Sequence, residues 1–297
     1  GMLTLVDAAL RLDEFDLAIE GTDFRLTGLT ESAPIRQAVE SALAPPPEGA
    51  RVIEAEGRVL MPGLTDAHVH LMFAEVPQLV ALTADLGYLS HRAAGAAERM
   101  LMRGFTTVRD MGGPVMGLRR AIDEGLIPGP RIYPSGPTIS QTSGHGDFRL
   151  PQAVPSNPGD ALDYQQRNGF GFVADGVPEV LKRVREALRM GATQIKVMAG
   201  GGVSSVFDPL DVSSYTPAEM RAAVEAAAAW NTYVAVHAYT PAAVRLAVEA
   251  GVQVVEHGQL IDAETAALMA ERGTWLSMQP FLGHRGSVFP EGWPNRI

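Results

Sequence analysis

The sequence predicts an α/β protein: a (β/α)8 TIM-like barrel that stops before its eighth strand, preceded by a small N-terminal β-rich subdomain. The first observation behind this prediction is that short runs of Val, Ile and Ala alternate with helical segments from residue 61 onward. The second is that the last strand–helix units recur about every 20 residues, the length of a compact βα unit. Near-continuous apolar runs are typical of parallel strands covered on both faces.

The N-terminal β-rich subdomain is predicted over residues 1–60 and the barrel over residues 61–297. Residues 15–29 contain two runs of alternating apolar and polar residues around a glycine, a pattern that favours β-strands. Residues 31–49 are expected to hold a short helix before a Pro-rich loop.

Seven barrel strands are predicted, one for each buried apolar run, near residues 65, 107, 132, 196, 235, 255 and 276. The helices between them carry recognisable start and stop signals. Thr216, Pro217 and Glu219 predict a capping box at the start of one helix. Asp262 is expected to cap a later helix, and Gly191 to end an earlier one.

The eighth barrel strand is missing from the sequence. The segment after Pro280 is loop-like, and the sequence stops at Ile297. We therefore expect either that the natural protein continues beyond this residue or that another chain covers the gap. An open barrel has two edges with unpaired backbone groups, so association into a homo-oligomer is also expected.

Composition and charge exclude several classes of function. Lys and Arg number 24 against 34 Asp and Glu, a formal net charge of −10, so no basic surface is expected for a nucleic acid. Because the sequence has no cysteine, disulfides and thiolate metal sites are excluded. No apolar stretch reaches the roughly 18 residues of a membrane-spanning helix. These observations predict a cytoplasmic protein without a membrane or nucleic-acid partner.

Histidines stand at the ends of three predicted barrel strands. His68 and His70 are two residues apart on one strand, so their side chains point to the same side. His237 and His257 each close a later buried strand. A lone histidine at such a place is usually a packed core residue, but the carboxyl ends of barrel strands meet at the barrel mouth. The pattern therefore predicts one shared metal site.

Lys196 lies inside an apolar strand, where a charged ammonium group is costly to bury. One interpretation is a lysine paired with a carboxylate elsewhere in the chain. The other is a lysine that reacts in its neutral form with carbon dioxide and becomes an anionic carbamate able to bridge two metal ions. The following glycines, residues 200–202, either let a substrate approach the backbone or form a flexible turn.

Six segments together resemble the amidohydrolase superfamily, over roughly residues 52–280: MPGLTDAHVHL, GFTTVRDMGG, SQTSGHGDFR, IKVMAGGGVSS, VAVHAYTP and VEHGQLID. Within the superfamily they are most similar to Xaa-Pro dipeptidases and related metal-dependent carboxypeptidases, which are neighbours of the imidazolonepropionase-like proteins. The resemblance implies a barrel with two divalent metal ions, for which zinc is the expected element.

The resemblance also implies the ligands of each ion. His68 and His70 match the strand-1 ligands of the more buried ion, and His237 and His257 match the ligands of the second ion. Lys196 matches the carbamylated lysine that bridges both. Lys196 and His237 are accordingly expected to take part in catalysis.

Two further residues match positions near a substrate carboxylate or scissile carbonyl in similar proteins, Tyr215 and His145. The implied reaction is hydrolysis of an amide bond in a dipeptide or N-acyl amino acid by hydroxide formed on the metal ions. In this family the general base is an aspartate at the end of strand 8, and no residue here matches it. Asp208 and Asp211 follow strand 4 and carry no motif for that role.

Two alternatives stay open. The first is a cyclic-amide hydrolase of the imidazolonepropionase type, against which Lys196 argues. The second is a truncated, non-catalytic homologue that keeps the fold and binds metal, which the missing strand favours. Metal content and an assay of Xaa-Pro dipeptides and N-acyl amino acids separate these readings.

Overall fold

The computed structural model describes residues 14–20, 23–29, 32–42, 61–157, 159–203 and 207–279. The chain divides into two compact units, Gly1–Pro62 and Gly63–Ile297. The described part of the first unit is an antiparallel strand pair, β1 Glu14–Glu20 and β2 Asp23–Leu29, followed by helix α1 Ala33–Ala42. Both the predicted strands and the short helix are confirmed there.

The second unit alternates parallel strands with helices, as the sequence predicts. Its strands are β3 Leu64–Val69, β4 Phe105–Asp110, β5 Arg131–Pro134, β6 Thr138–Ser140, β7 Gly171–Val173, β8 Ile195–Met198, β9 Val234–Ala238, β10 Val254–His257 and β11 Trp275–Ser277. Its helices are α2 Gln78–Thr83, α3 Leu86–Met102, α4 Met116–Asp123, α5 Tyr164–Arg167, α6 Val177–Arg189, α7 Pro217–Ala228, α8 Pro241–Glu249 and α9 Ala263–Glu271, with a short 3-10 helix at Pro151–Ala153.

The strand order is that of a (β/α) barrel. One sheet has the order β3-β4-β5 and the other β11-β10-β9-β8-β6-β7, and all their pairs are parallel. Residues 135–137 alone separate β5 from β6, and the Thr193 amide donates to the Pro134 carbonyl at 2.8 Å, so the two sheets continue into each other. All seven predicted barrel strands are confirmed. The short strand β7, which pairs with β6, was not predicted.

The outer edges of β3 and β11 are not paired with another strand in the part of the chain that the structure describes. Leu64 on β3 is 41% exposed and Trp275 on β11 is 75% exposed. A cavity of about 780 Å³ is lined by residues of several strands, among them Thr65 of β3, Thr107 of β4 and Val254 of β10. The remaining parts of the predicted N-terminal β-rich subdomain, and the loop-like segment after Pro280, lie outside the described residues.

Alternation along the strands separates the apolar core from the polar barrel interior. In β8, Ile195 and Val197 are buried in the same apolar cluster as Val184 of α6 and Met220 of α7. Lys196, between them, therefore points into the barrel. The same alternation places the outward valines of β9 against the helices and turns His237 inward. The core between strands and helices thus orients the polar residues of the interior.

The helix signals are confirmed where they bear on the site. Thr216 and Glu219 form a complete capping box at α7. The Asp262 carboxylate accepts from the Thr265 amide at the start of α9, and Gly191 has φ 103° just after α6. Each of the two N-caps, Thr216 and Asp262, contributes about 1 kcal/mol. Among the described residues, no helix combines the length and apolar content needed to cross a membrane.

Candidate metal centre

The structure brings four predicted histidines together at the carboxyl ends of β3, β9 and β10. The ring centroids of His68 and His70 are 5.1 Å apart, those of His68 and His257 5.0 Å, and those of His237 and His257 4.5 Å. All four are mostly buried. Strand β3 and the distant strands β9 and β10 therefore place their imidazoles in one continuous cluster.

Backbone carbonyl groups fix the tautomer of two of these histidines. The His70 Nδ1 lies 3.2 Å from the Gly112 carbonyl oxygen, and the His237 Nε2 lies 3.0 Å from the Gly201 carbonyl oxygen. Because a carbonyl only accepts, each of these ring nitrogens must donate its proton. The lone pair that can bind a metal ion is then on Nε2 of His70 and on Nδ1 of His237.

Side chains, instead of backbone carbonyl groups, fix the tautomer of the other two histidines, His68 and His257. The His68 Nδ1 lies 2.8 Å from Oε2 of Glu256, and the His257 Nδ1 is bonded to Oε1 of Gln279. Both ring nitrogens donate, so Nε2 is the ligand atom in each case. The hydrogen-bond partner of every histidine in the cluster therefore selects one ring nitrogen for metal binding.

The four histidines of the cluster are held in their unprotonated form. Burial, together with the charge of Lys196, lowers the pKa of His70 to about 4. The pKa of His68, His237 and His257 is also lowered, in each case mainly by burial. All four imidazoles are therefore neutral at physiological pH, which is the protonation state that binds metal ions.

The His68 and His70 rings have the spacing of two ligands on one ion. Their Nε2 atoms are 3.3 Å apart. A tetrahedral zinc ion with Zn–N bonds of about 2.0–2.1 Å separates two nitrogens by about 3.3–3.4 Å. Since both rings donate from Nδ1, two lone pairs face each other across this gap. A cation between them would satisfy both.

A third ligand for an ion between His68 and His70 would have to be a residue other than His, Asp or Glu. Among the described residues, no three His, Asp or Glu side chains form a group that could hold a metal ion. Lys196, the remaining ligand predicted from the sequence, is 1% exposed and its charge acts on all four histidines. Burial lowers the pKa of Lys196 to about 8, so a reactive neutral amine is accessible near neutral pH.

His145 also joins the cluster, held by a residue to which the sequence assigned no role. Its ring stacks on that of His237 with centroids 4.0 Å apart. The His145 Nδ1 lies 3.0 Å from Oδ2 of Asp208, which also accepts from the Gly202 amide at 2.7 Å. Asp208 is buried. The two residues form a dyad that fixes the His145 ring over the second pair of histidines.

Gly202 is required for this arrangement because its missing side chain makes room for the His145 ring. A Cβ at residue 202 would lie 2.0 Å from Nδ1 of His145. We expect Gly202→Ala to lower the free energy of unfolding by about 1–3 kcal/mol, as overpacking does. Urea denaturation measures this change. Gly117→Ala, in helix α4 with nothing within 4 Å of the added carbon, is the matched control and should not destabilise.

The same substitution in a His145→Ala background tests the cause. If the clash with the imidazole is the reason, the effect of Gly202→Ala should largely disappear there. An equal loss of stability in both backgrounds would show that the backbone at residue 202, and not the His145 ring, requires glycine.

Tyr215 lies in the hydrophobic core between the strands and helices, where its hydroxyl donates to the Ala174 carbonyl oxygen at 3.1 Å. Burial raises its pKa, so the phenol is neutral. The structure accounts for Tyr215 by packing, and its role beside a substrate stays a prediction. Another tyrosine, Tyr239, contacts the cluster instead, with its ring 5.0 Å from His237 and 5.1 Å from His257.

Sequence reasoning missed Tyr239, Glu256 and Gln279. A signal existed for Tyr239, which lies two residues after His237 and so on the same side. None existed for Glu256, which directly precedes His257 and by simple alternation would point away from it. His257 has φ 79°, a left-handed conformation that is uncommon outside glycine. This conformation places the side chains of Glu256 and His257 on the same side, in the barrel interior.

Comparison with known proteins identifies the class to which this fold and cluster belong. Residues 59–287 match the amidohydrolase family. The chain therefore belongs to the amidohydrolase family, as its motifs indicate.

Its relatives include hydrolases of more than one kind. Ochratoxinase of Aspergillus niger is 35% identical over 253 residues, which cover 79% of this chain and 52% of that protein. The crystal structure of a prolidase in complex with N-methylphosphonate-L-proline is 38% identical, with a TM-score of 0.73, over 89% of this chain and 61% of that one. A Xaa-Pro dipeptidase with methionine bound in its active site is 36% identical, with a TM-score of 0.61, over 72% and 52% of the two chains. The chain thus spans about half to three-fifths of the length of these relatives.

Proposed function

We propose that this chain forms the metal centre of a hydrolase that cleaves the amide bond of a dipeptide or N-acyl amino acid. The observation that carries the proposal is the cluster of four histidines at the carboxyl ends of β3, β9 and β10, together with the buried Lys196 of β8 whose charge acts on all four. Amidohydrolase superfamily members generally bind metal ions. The donor set fits divalent ions such as zinc, because it offers imidazole nitrogens and a lysine that can become a carbamate.

In this proposal, His68 and His70 would hold one ion, His237 and His257 would hold the second, and Lys196 as its carbamate would be a ligand common to both. Bound divalent ions lower the pKa of water and polarise a carbonyl group, which is the chemistry that amide hydrolysis needs. The chain's own residues prepare this centre. Their hydrogen bonds select the ligand nitrogens, and burial keeps the rings neutral and excludes bulk water.

The substrate class is supported by the ligand of the related prolidase. In N-methylphosphonate-L-proline, a phosphorus atom is bonded to the proline nitrogen in the place of the amide carbon of a substrate. This phosphorus is tetrahedral, as the carbon is in the transition state of amide hydrolysis. Bound methionine in the related dipeptidase is a free amino acid, the kind of product that such a reaction releases. We propose an amino acid leaving group for this chain on the same grounds.

In this proposal, His145 contacts the substrate, and Asp208 holds His145 in place. The His145 ring covers the imidazole of His237, so a carbonyl group reaching the second pair of histidines would meet it. The Asp208 carboxylate holds the Nδ1 proton of His145 and so keeps the ring in one orientation. His145 would then hydrogen-bond or protonate the reacting group from a fixed position.

One experiment separates the possible functions. The chain is reconstituted with zinc, its metal content is measured, and hydrolysis is followed for Xaa-Pro dipeptides, N-acyl amino acids and cyclic amides. Two zinc ions per chain with turnover of the first two classes is the expected result. Preference for cyclic amides would support a ring hydrolase, and less than one zinc ion per chain would overturn the binuclear centre.

A second candidate function is a metal-binding homologue without activity. Metal content and hydrolysis, measured together, distinguish it from the first candidate. Two zinc ions per chain without turnover of any substrate would select this candidate.

A further inference from the structure

Glu256 is a fully buried carboxylate whose two oxygens bind different partners. Oε2 accepts from Nδ1 of His68 at 2.8 Å, and Oε1 accepts from the Nη2 group of Arg109. A buried carboxylate that served only to pair with arginine would be expected to use both oxygens on the guanidinium fork. Here one oxygen is given to an imidazole of the cluster.

Arg109 is itself held in place by two other strands. Its Nε donates to the Ala67 carbonyl oxygen of β3 at 2.7 Å, and its Nη1 lies 3.3 Å from the hydroxyl of Tyr233, just before β9. The guanidinium group therefore links β3, β4, β9 and β10 beneath the histidines. Because Arg109 also bonds to Glu256, residues of the neighbouring strands help to fix the position of the Glu256 carboxylate.

The backbone of β10 is shaped to place Glu256 there. Val255 packs in the apolar layer under the helices, so Glu256 points into the barrel. The next residue, His257, would point outward in a regular strand, but its φ of 79° turns its ring into the cluster. Two successive residues thus face the candidate centre, one as a ligand and one as the partner of a ligand.

We propose that Glu256 is a positioning residue for metal binding: it holds His68 with the proton on Nδ1 and Nε2 directed at the ion shared with His70. The proposal rests on the proposed function. Without this carboxylate, the His68 ring would lose its fixed tautomer and orientation, and metal binding would have to restore both. Partners of this kind typically change metal affinity by about 10–100-fold.

The test compares zinc affinity in the 297-residue wild-type chain and two variants by chelator competition. Glu256→Gln has one acceptor, which Arg109 claims, so its amide group faces His68 and favours the wrong tautomer. Glu256→Leu combined with Arg109→Met removes both charges together and so avoids an unpaired buried charge. We expect zinc binding to weaken about 10–100-fold in both variants. Glu264→Gln, whose side chain is 84% exposed, is the control and should bind zinc like the wild type.

A spectroscopic measurement excludes a purely structural role. Nitrogen-15 NMR of the histidines in the metal-free chain should show His68 protonated on Nδ1 in the wild type and on Nε2 in Glu256→Gln. Wild-type zinc affinity in the double variant, or an unchanged His68 tautomer in Glu256→Gln, would overturn the proposal. If the wild-type chain binds no zinc, the proposed function fails, while the tautomer measurement still tests the role of Glu256.

Discussion

Lys196→Met is expected to remove the metal centre while leaving the fold intact. Methionine keeps most of the volume of the buried lysine and removes the penalty for burying an ammonium group, so the free energy of unfolding should not fall. In the proposed centre, the two pairs of histidines would lose their common ligand with the carbamate. Loss of metal-assisted catalysis worth roughly 4 kcal/mol corresponds to a fall in hydrolysis rate of about 1,000-fold.

Three measurements check this prediction: zinc per chain, hydrolysis rate and the carbon-13 NMR signal of a carbamate after incubation with labelled bicarbonate. The sequence offers a matched control, because its only other lysine is the exposed Lys182 on α6. Lys182→Met should keep the carbamate signal and the zinc. A carbamate signal that persists in Lys196→Met, or full zinc binding by that variant, would refute the bridging role.

Zinc is expected to raise the thermal midpoint of the metal-free chain by roughly 10 °C. An ion that binds only the folded state at 1,000 times its Kd stabilises that state by about 4 kcal/mol. For a unit of this size, each kcal/mol shifts the midpoint by about 2–4 °C. The stabilisation should be large because the four neutral imidazoles are assembled only in the folded barrel. Differential scanning calorimetry with and without zinc measures the shift.

The control for this prediction uses another histidine. In the double variant His68→Asn, His70→Asn, most of the zinc-dependent rise should be lost. His91 is exposed on helix α3, away from the strand ends, so His91→Asn should keep the full rise. A rise of equal size in all three chains would mean that zinc stabilises the protein from some other site.

The barrel was predictable because its elements repeat. Buried apolar runs mark parallel strands, and the residues between them carry helix signals such as the capping box at Thr216 and Glu219. His68 and His70 were predictable as a pair for a similar reason, since the period of a strand puts residues two apart on one side. The predicted metal ligands were then brought together because carboxyl ends of barrel strands meet at one mouth.

Tyr215 shows what spacing leaves out. The resemblance predicts a role near the substrate, which stays a prediction, and the structure adds that its ring packs in the core and that its hydroxyl donates to the Ala174 carbonyl oxygen. Asp208 shows the opposite case. No motif marks it, yet it holds His145 over His237 across a separation of 63 residues. Neither outcome could be read from local spacing, because both depend on which loops pack together.

By itself, the sequence determined the α/β class, the order of the seven strands and the residue types that could bind metal ions. These properties depend on local periodicity, which the order of residues contains. Tertiary structure alone decided which nitrogen of each imidazole is presented and which residue holds it there. Glu256 reaches His68 across 188 positions of sequence, and His257 faces the cluster only because its backbone leaves the regular strand conformation. Tautomers and orientations are set by hydrogen bonds between distant segments, and those exist only once the barrel has formed.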